Sequence, residues 1–267
     1  MKSLAGVGLG NVQAVYSGPE GDLWELVMGQ QIHIGGFASS MELAEKAGVG
    51  PGMSGVDLCC CNGAGMRFLV RFRNVDKMHG VDATETVIER GRRRAKEEGF
   101  DGRICFTLGD ACRTGLPGAQ ADFVWGEDAW CYVVDKKQLV AEAVRLVKPG
   151  GIIAFTDWIE GPAGLTAEEA ERFLTFMKFP NILDLKTYSD LLSENGCEVL
   201  TAADTGRFPR YVDLYLDMLN MQLTYDALRI IGFDLPLTGA MGGEMNFMRD
   251  LAHAGKIAQG QFIARKK

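Results

Sequence analysis

The chain has 267 residues, 47% of them hydrophobic and 24% charged, with a net charge of −7 and an isoelectric point near 5.1. This is the balance of an ordinary globular protein, long enough for one large α/β domain with an added cap. The acidic excess argues against non-specific nucleic-acid binding, and no run of about 18 apolar residues is present to span a membrane. Met1-Lys2-Ser3-Leu4-Ala5-Gly6 lacks a sustained apolar core, so no secretory leader is expected and the cytoplasm is the expected compartment. The seven cysteines form no C-x-x-C pair, and His33, His79 and His253 share no helical spacing, so no metal is expected.

Residues 1–50 combine helical spacing over Asp22–Met28, a loop over Gln30–Gly36 and a short helix over Met41–Ala47, which predicts an amino-terminal helical lid. From Gly55 onward strand and helix alternate. Val56 and Leu58 lead through Cys59, Cys60 and Cys61, read as part of the strand, into Asn62-Gly63-Ala64-Gly65. A helical pattern then carries Met66, Phe68, Leu69 and Val70. Further strands are predicted at Lys77–Asp82, Arg103–Leu108, Ala121–Gly126, Ile152–Asp157, Gly196–Thr201 and Gln261–Arg265. Helices fall at Thr84–Glu98, Lys136–Val147, Thr166–Met177, Leu185–Asn195 and Phe208–Ile231. A loop is expected over Phe233–Gly243, before a last helix. The basic run Arg90–Lys96 lies beside Glu89, Glu97 and Glu98 and reads as a solvated helix face.

This alternation predicts a Rossmann-like α/β fold, a seven-stranded mostly parallel sheet with helices on both faces and helical lid segments. The lids would be 1–50 and 206–255, around a core of 51–205 and 256–267. In such a sheet a nucleotide-like ligand sits at the carboxyl ends of the strands, over the first glycine turn. Phe68 stands where the dinucleotide fingerprint needs a third small residue, and no phosphate loop is present.

What remains, Asp57 followed by a small-residue turn ending at Gly63, resembles the first motif of Rossmann-like S-adenosylmethionine-dependent methyltransferases, D-[LVI]-G-x-G-x-G. Cys59 and Cys61 replace its first two glycines, so a reshaped turn is expected. Arg145-Leu146-Val147-Lys148-Pro149-Gly150-Gly151 is similar to the same group's R-V-L-[KR]-P-G-G segment. Glu127-Asp128-Ala129-Trp130-Cys131-Tyr132-Val133-Val134-Asp135-Lys136 resembles the [QED]-D-A-F-x-H-x-x-D-[KR] segment of sarcosine/dimethylglycine N-methyltransferases. Ile32-His33-Ile34-Gly35 is similar to a segment shared with related sugar and tocopherol methyltransferases.

The resemblance implies S-adenosylmethionine as cofactor and S-adenosylhomocysteine as product. Asp82 would accept both ribose hydroxyls, with Ala83 beside it. Asp110 and Ala111 would lie at the adenine and Asp57 near the methionine ammonium, along the turn through Cys59, Cys61 and Gly63, and Glu127 would also bind the cofactor. Each aspartate alone reads equally well as a turn or cap residue. Tyr132, standing where that family has histidine, and His33 are the catalytic candidates. Trp24, Trp130, Trp158, Tyr211 and Tyr215 are candidate aromatic faces for a methylated ammonium, with lid core as the plainer reading, and Arg210 is a candidate for an acceptor carboxylate. The expected reaction is methyl transfer to a small molecule, an amine or amino-acid nitrogen first. Small-molecule O-methylation, a non-catalytic S-adenosylmethionine-binding protein and a cysteine-based redox or arsenic enzyme are the alternatives. No nucleic-acid or membrane partner is expected, and homodimer formation stays open.

Overall fold

The computed structural model describes residues 2–267. The strands are β1 (Lys2–Ser3), β2 (Ser54–Leu58), β3 (Lys77–Asp82), β4 (Ile104–Leu108), β5 (Ala121–Glu127), β6 (Val147–Glu160), β7 (Asn181–Ile182), β8 (Cys197–Asp204) and β9 (Ile257–Lys266). The helices are α1 (Leu9–Tyr16), α2 (Pro19–Met28), α3 (Gly36–Lys46), α4 (Ala64–Phe72), α5 (Glu85–Glu97), α6 (Lys136–Leu146), α7 (Ala167–Met177), α8 (Leu185–Glu194), α9 (Phe208–Asn220), α10 (Thr224–Ile230) and α11 (Leu235–His253). A 3-10 turn covers Trp130–Tyr132.

Seven strands form one sheet in the order β4-β3-β2-β5-β6-β9-β8. Neighbours from β4 to β6 are parallel, and β9 runs antiparallel to both β6 and β8. Strand order reverses between β2 and β5, so the connections leaving these two strands diverge and open a crevice at their carboxyl ends. Phe123, Val124 and Trp125 on β5 are all fully buried, the pattern of a central strand covered on both faces. Gly55 makes this packing possible: a Cβ there would lie 2.3 Å from the Phe123 ring.

One face of the sheet packs α6 and α8 around Val140, Leu146, Phe155, Tyr188 and Leu192. The other packs α3, α4 and α5 around Leu43, Leu69, Ile88 and Trp125. A third core gathers Trp24, Trp158, Phe173, Phe179 and Phe208 from α2, β6, α7 and α9. Each large apolar side chain buried in these layers contributes about 1.5–3 kcal/mol.

Several details depart from the sequence reading. The expected loop over Phe233–Gly243 is the first half of α11. Asp234 accepts the Leu237 N–H at 2.9 Å, and Pro236 lies in the first turn, start signals masked by Gly239, Gly242 and Gly243. The single helical region over Phe208–Ile231 is broken between Asn220 and Thr224 into α9 and α10. The short β1 and β7 pair with each other and carried too few residues to register. The basic run is not simply solvated: Arg90 pairs with Asp22 at 3.0 Å and Glu25 at 3.1 Å, and Arg94 also pairs with Glu25. These bonds tie α5 to α2, while Arg93 stays exposed beside Glu97.

Candidate active site

The strand β2 ends at Leu58, and Cys59, Cys60 and Cys61 make the turn rather than prolonging the strand. Cys59 and Cys61 both adopt left-handed backbone conformations, φ 63° and 47°. The turn therefore keeps the backbone that glycine would supply, at the cost of strain in two cysteines. It is held from the neighbouring strand: the Cys59 and Cys60 N–H groups donate to the Val81 carbonyl at 2.9 and 3.1 Å. Residues alternating along a strand would face apart, but in a turn they need not. All three cysteines line one cavity of about 400 Å³ at the carboxyl end of the sheet.

Gly63, with φ 70°, turns the chain into α4 and does not itself line the cavity. Gly65, two residues further, does. A Cβ on Gly65 would stand 2.7 Å from Glu127 Oε2 and 3.7 Å from Asp57 Oδ2, so only glycine lets these two carboxylates close over the helix start. Asp57 is buried, and burial followed by the nearby Glu127 and Asp82 charges raises its carboxyl well above the usual range, with no cation to offset them. Asp82 accepts the Cys61 N–H and the Thr84 N–H, both at 2.9 Å, and burial raises its pKa as well. Asp110 accepts the Cys112 N–H at 2.8 Å. Ala83 and Ala111 complete this acidic wall.

A second wall faces it. The Tyr16 hydroxyl, from α1, donates to the Tyr132 hydroxyl at 3.1 Å, and the two rings meet edge to face. Gln13 Nε2 donates to the Ala83 carbonyl at 2.7 Å, so α1 lies across the cavity mouth. His33 is buried, its Nε2 3.2 Å from Ser40 Oγ and 3.4 Å from Glu127 Oε1. Ser40 donates to that Glu127 oxygen at 2.6 Å and receives the Gln31 amide at 2.8 Å. The segment carrying His33 is anchored by Asp128, which accepts the Ile34 N–H at 2.8 Å and the Gln259 side-chain amide. Burial drives the Tyr132 hydroxyl far above the usual phenol range, and the same holds for Tyr16.

Asp57, Cys59, Cys61, Asp82, Ala83, Asp110, Ala111, Glu127, His33 and Tyr132 thus meet at one cavity. The remaining aromatic candidates do not. Trp130 is fully buried behind the cavity, stacked on Phe155 at 4.0 Å, and Trp158 packs against Phe173 and Phe208. Trp24 lies in the same third core. Tyr211 packs on that core, and Tyr215 turns its hydroxyl to the Gly35 N–H at 3.3 Å. Arg210 is exposed and outside the cavity. Tyr16, Ser40 and Gln13 escaped the sequence reading. They lie on α1 and α3, where no motif spacing marks them.

The donor set suits a cofactor with a positive centre. An acidic wall, a close-packed glycine and a helix start fit S-adenosylmethionine, whose sulfonium and ammonium supply the missing countercharge. Among the described residues no group of three or more His, Cys, Asp or Glu could hold a metal ion, and no helix is long and apolar enough to cross a membrane. Fold and crevice define the class: the chain is a Rossmann-like S-adenosylmethionine-dependent methyltransferase. A methyltransferase domain is matched over residues 56–155. The chain is 28% identical over 204 residues to the 27-O-demethylrifamycin SV methyltransferase of Amycolatopsis mediterranei, covering 71% of this chain and 74% of that protein. Its fold is similar to that of a protein described as a sarcosine dimethylglycine methyltransferase from Galdieria sulphuraria, with a TM-score of 0.74, 21% identity and 86% of each chain covered. It is also similar to Haemonchus contortus phosphoethanolamine N-methyltransferase 2, with a TM-score of 0.81 and 18% identity over 95% of this chain and 58% of that one.

Proposed function

We propose that the chain methylates the nitrogen of a small amine that carries no free carboxylate or phosphate. The observation behind this reading is the charge of the cavity lining: Asp57, Asp82, Asp110, Glu127, Asp128 and Asp135 stand against a single Arg113. Such a lining favours a cationic donor and a cationic product, and repels an anionic acceptor. An amino acid acceptor would need an arginine: Arg210 is exposed away from the cavity, and Arg113 stands beside Asp110, at the end read as the adenine site. Segment 1–50, which brings Leu9, Val12, Tyr16 and His33 to the cavity, is read as the lid over this acceptor; 206–255, expected as a second lid, contributes no residue to the cavity lining.

In this reading Asp82 accepts the ribose hydroxyls, Asp110 lies at the adenine, and Asp57 with Glu127 holds the methionine ammonium. The bound cofactor supplies an electrophilic methyl group on a sulfonium. The residues of this chain orient the acceptor for in-line attack, a contribution of up to roughly 7–11 kcal/mol. The Tyr132 and Tyr16 phenols stay protonated, so neither serves as a strong base. Their oxygens can still accept the amine N–H and aim the lone pair. As the methyl moves, the positive charge passes to nitrogen, where the ring faces and the acidic wall stabilise it. The protein must bind the amine deprotonated.

A second reading, O-methylation of a neutral hydroxyl, is favoured by one contact set: His33 lies within reach of both Ser40 and Glu127 and could take a proton. Incubation with S-adenosylmethionine and a panel of primary and secondary amines, amino acids and alcohols, read by product mass, decides between the two. Methylated amines without carboxylates support the first reading. Turnover of alcohols alone supports the second, and preferred turnover of amino acids overturns the charge argument.

A further inference from the structure

The cavity wall formed by Tyr132, Val133 and Val134 belongs to no strand. Its backbone is held instead by buried side chains on the far side. Lys136, only 4% exposed, donates from Nζ to the Cys131 carbonyl at 3.2 Å and the Val133 carbonyl at 3.0 Å. It also reaches the Asn181 carbonyl at 3.2 Å and the Asn181 side-chain oxygen. Asn181 Nδ2 donates to the Val134 carbonyl at 3.0 Å. From the other side Asp157, fully buried, accepts the Cys131 N–H at 2.9 Å while the Tyr188 hydroxyl donates to its second oxygen. Residues 131, 133 and 134 are therefore fixed through their main chain by a lysine, an asparagine and an aspartate, none of which lines the cavity.

Burying an ammonium costs several kcal/mol unless its surroundings satisfy it, and a well-packed apolar side chain commonly gives equal or greater stability. What the ammonium adds here is direction. Its bonds bracket Tyr132 on both sides and join that turn to β7. We propose that Lys136, backed by Asp157 and Asn181, is the positioning residue for the acceptor-facing wall, setting where the Tyr132 hydroxyl points. This rests on the reading that Tyr132 faces the acceptor.

The test uses protein labelled with 3-fluorotyrosine, whose six tyrosines give six fluorine signals. The Tyr132 signal is assigned from Tyr132→Phe. Lys136→Met removes the clamp. Because it leaves Asp157 without its lysine, Lys136→Met combined with Asp157→Asn serves as a second variant that removes both charges. In either folded variant the Tyr132 signal should shift and broaden, while exposed Tyr225 keeps its position and S-adenosylhomocysteine affinity stays within about threefold, under 1 kcal/mol. With an amine identified by the panel, KM should rise about tenfold or more, since small misplacements of a reacting pair carry large rate effects. A Tyr132 signal unchanged in both variants, or all six signals altered together, overturns the positioning role. A displaced Tyr132 signal with unchanged acceptor kinetics upholds the clamp and overturns the placing of Tyr132 at the acceptor. The fluorine arm needs no acceptor, so the two failures are distinguishable.

Discussion

The two walls of the cavity are built by different means. Asp57, Asp82 and Glu127 belong to ladder-paired strands and Asp110 follows β4, so sheet register fixes where each stands. Their negative charges face one another with little cation nearby. Elsewhere in the molecule carboxylates are paired: hydrogen bonds from Arg145, then Thr114, hold Glu142 at about 2. The opposite wall is carried by α1, the His33 segment and the 3-10 turn, and side chains fix it: Gln13, Asp128, Gln259 and Lys136. The first wall is preformed and electrostatically incomplete. The second is positioned by side-chain hydrogen bonds, with buried Asp128, Gln259 and Lys136 among their sources.

The broadest way to break this contrast is a pH series on the unliganded protein. Burial raises Asp57, Asp82 and Asp128 above the ordinary 3.8, and raises Asp157, behind the wall, to about 7. The folded state then holds more protons than the unfolded state between about pH 4 and 7, so its stability is greatest at the acid end and falls as pH rises through that window. Each raised pKa unit is worth about 1.4 kcal/mol. The midpoint of thermal unfolding should fall from pH 4.5 to 7.5, and saturating S-adenosylmethionine should flatten that fall by pairing the ionised acids. Stability that rises across the window without ligand would mean the acidic wall carries hidden countercharges.

Next in size is Asp82→Ala. It removes the acceptor of two main-chain N–H groups in the turn as well as the proposed ribose partner. Binding of S-adenosylhomocysteine should weaken by about 1.5–3 kcal/mol, the range for hydrogen bonds to a charged group. Calorimetry giving wild-type affinity in a folded variant would break the assignment of the first wall to the cofactor.

The same contrast governs what could be read from the sequence. Strand ends are legible because apolar strand runs count them off, which groups Asp57, Asp82 and Asp110, while Glu127 is reached only through the family-like segment that begins with it. The boundary of β2 was not, since three small apolar cysteines continue a strand pattern and nothing in composition announces φ > 0. On the second wall the sequence points only to residues that a family-like segment passes through, His33 and Tyr132, and both line the cavity. Trp130 was misplaced because it sits in a turn two residues before Tyr132 and points the other way, onto Phe155. Tyr16 and Ser40 were invisible, since their roles arise only when α1 and α3 close on the sheet. The glycines of α11 concealed a helix that Asp234 and Pro236 were announcing.

A finer probe of the second wall is the pair Tyr16→Phe and Tyr132→Phe. Either change removes one neutral hydrogen bond, about 0.5–1.5 kcal/mol. For an amine acceptor both should raise acceptor KM severalfold and leave S-adenosylhomocysteine affinity unchanged, and the double variant should cost less than the two singles summed. Additive losses would mean the hydroxyls act apart, and a collapse of kcat at Tyr132→Phe alone would favour a hydroxyl acceptor.

The smallest effect expected lies in the turn that joins the walls. Cys59 and Cys61 hold left-handed conformations that cost a non-glycine residue roughly 1–2 kcal/mol. Glycine would relieve this strain but loses about 0.5–1 kcal/mol through its greater freedom in the unfolded chain. The difference leaves Cys59→Gly and Cys61→Gly each more stable by up to about 1.5 kcal/mol, whereas alanine at either position keeps the strain and gains nothing. The thiols themselves should be quiet: burial pushes Cys61 up to about 12 and drives Cys59 well above the usual thiol range, so neither is a thiolate at neutral pH. Iodoacetamide should therefore label both slowly at pH 7.5 even without ligand. Activity in the glycine variants should stay within about tenfold, a change of about 1.4 kcal/mol. If Cys59→Gly instead destabilises the fold or abolishes cofactor binding, the thiol itself is making a contact that the turn requires, and the cysteines belong to the recognition wall and not merely to its backbone.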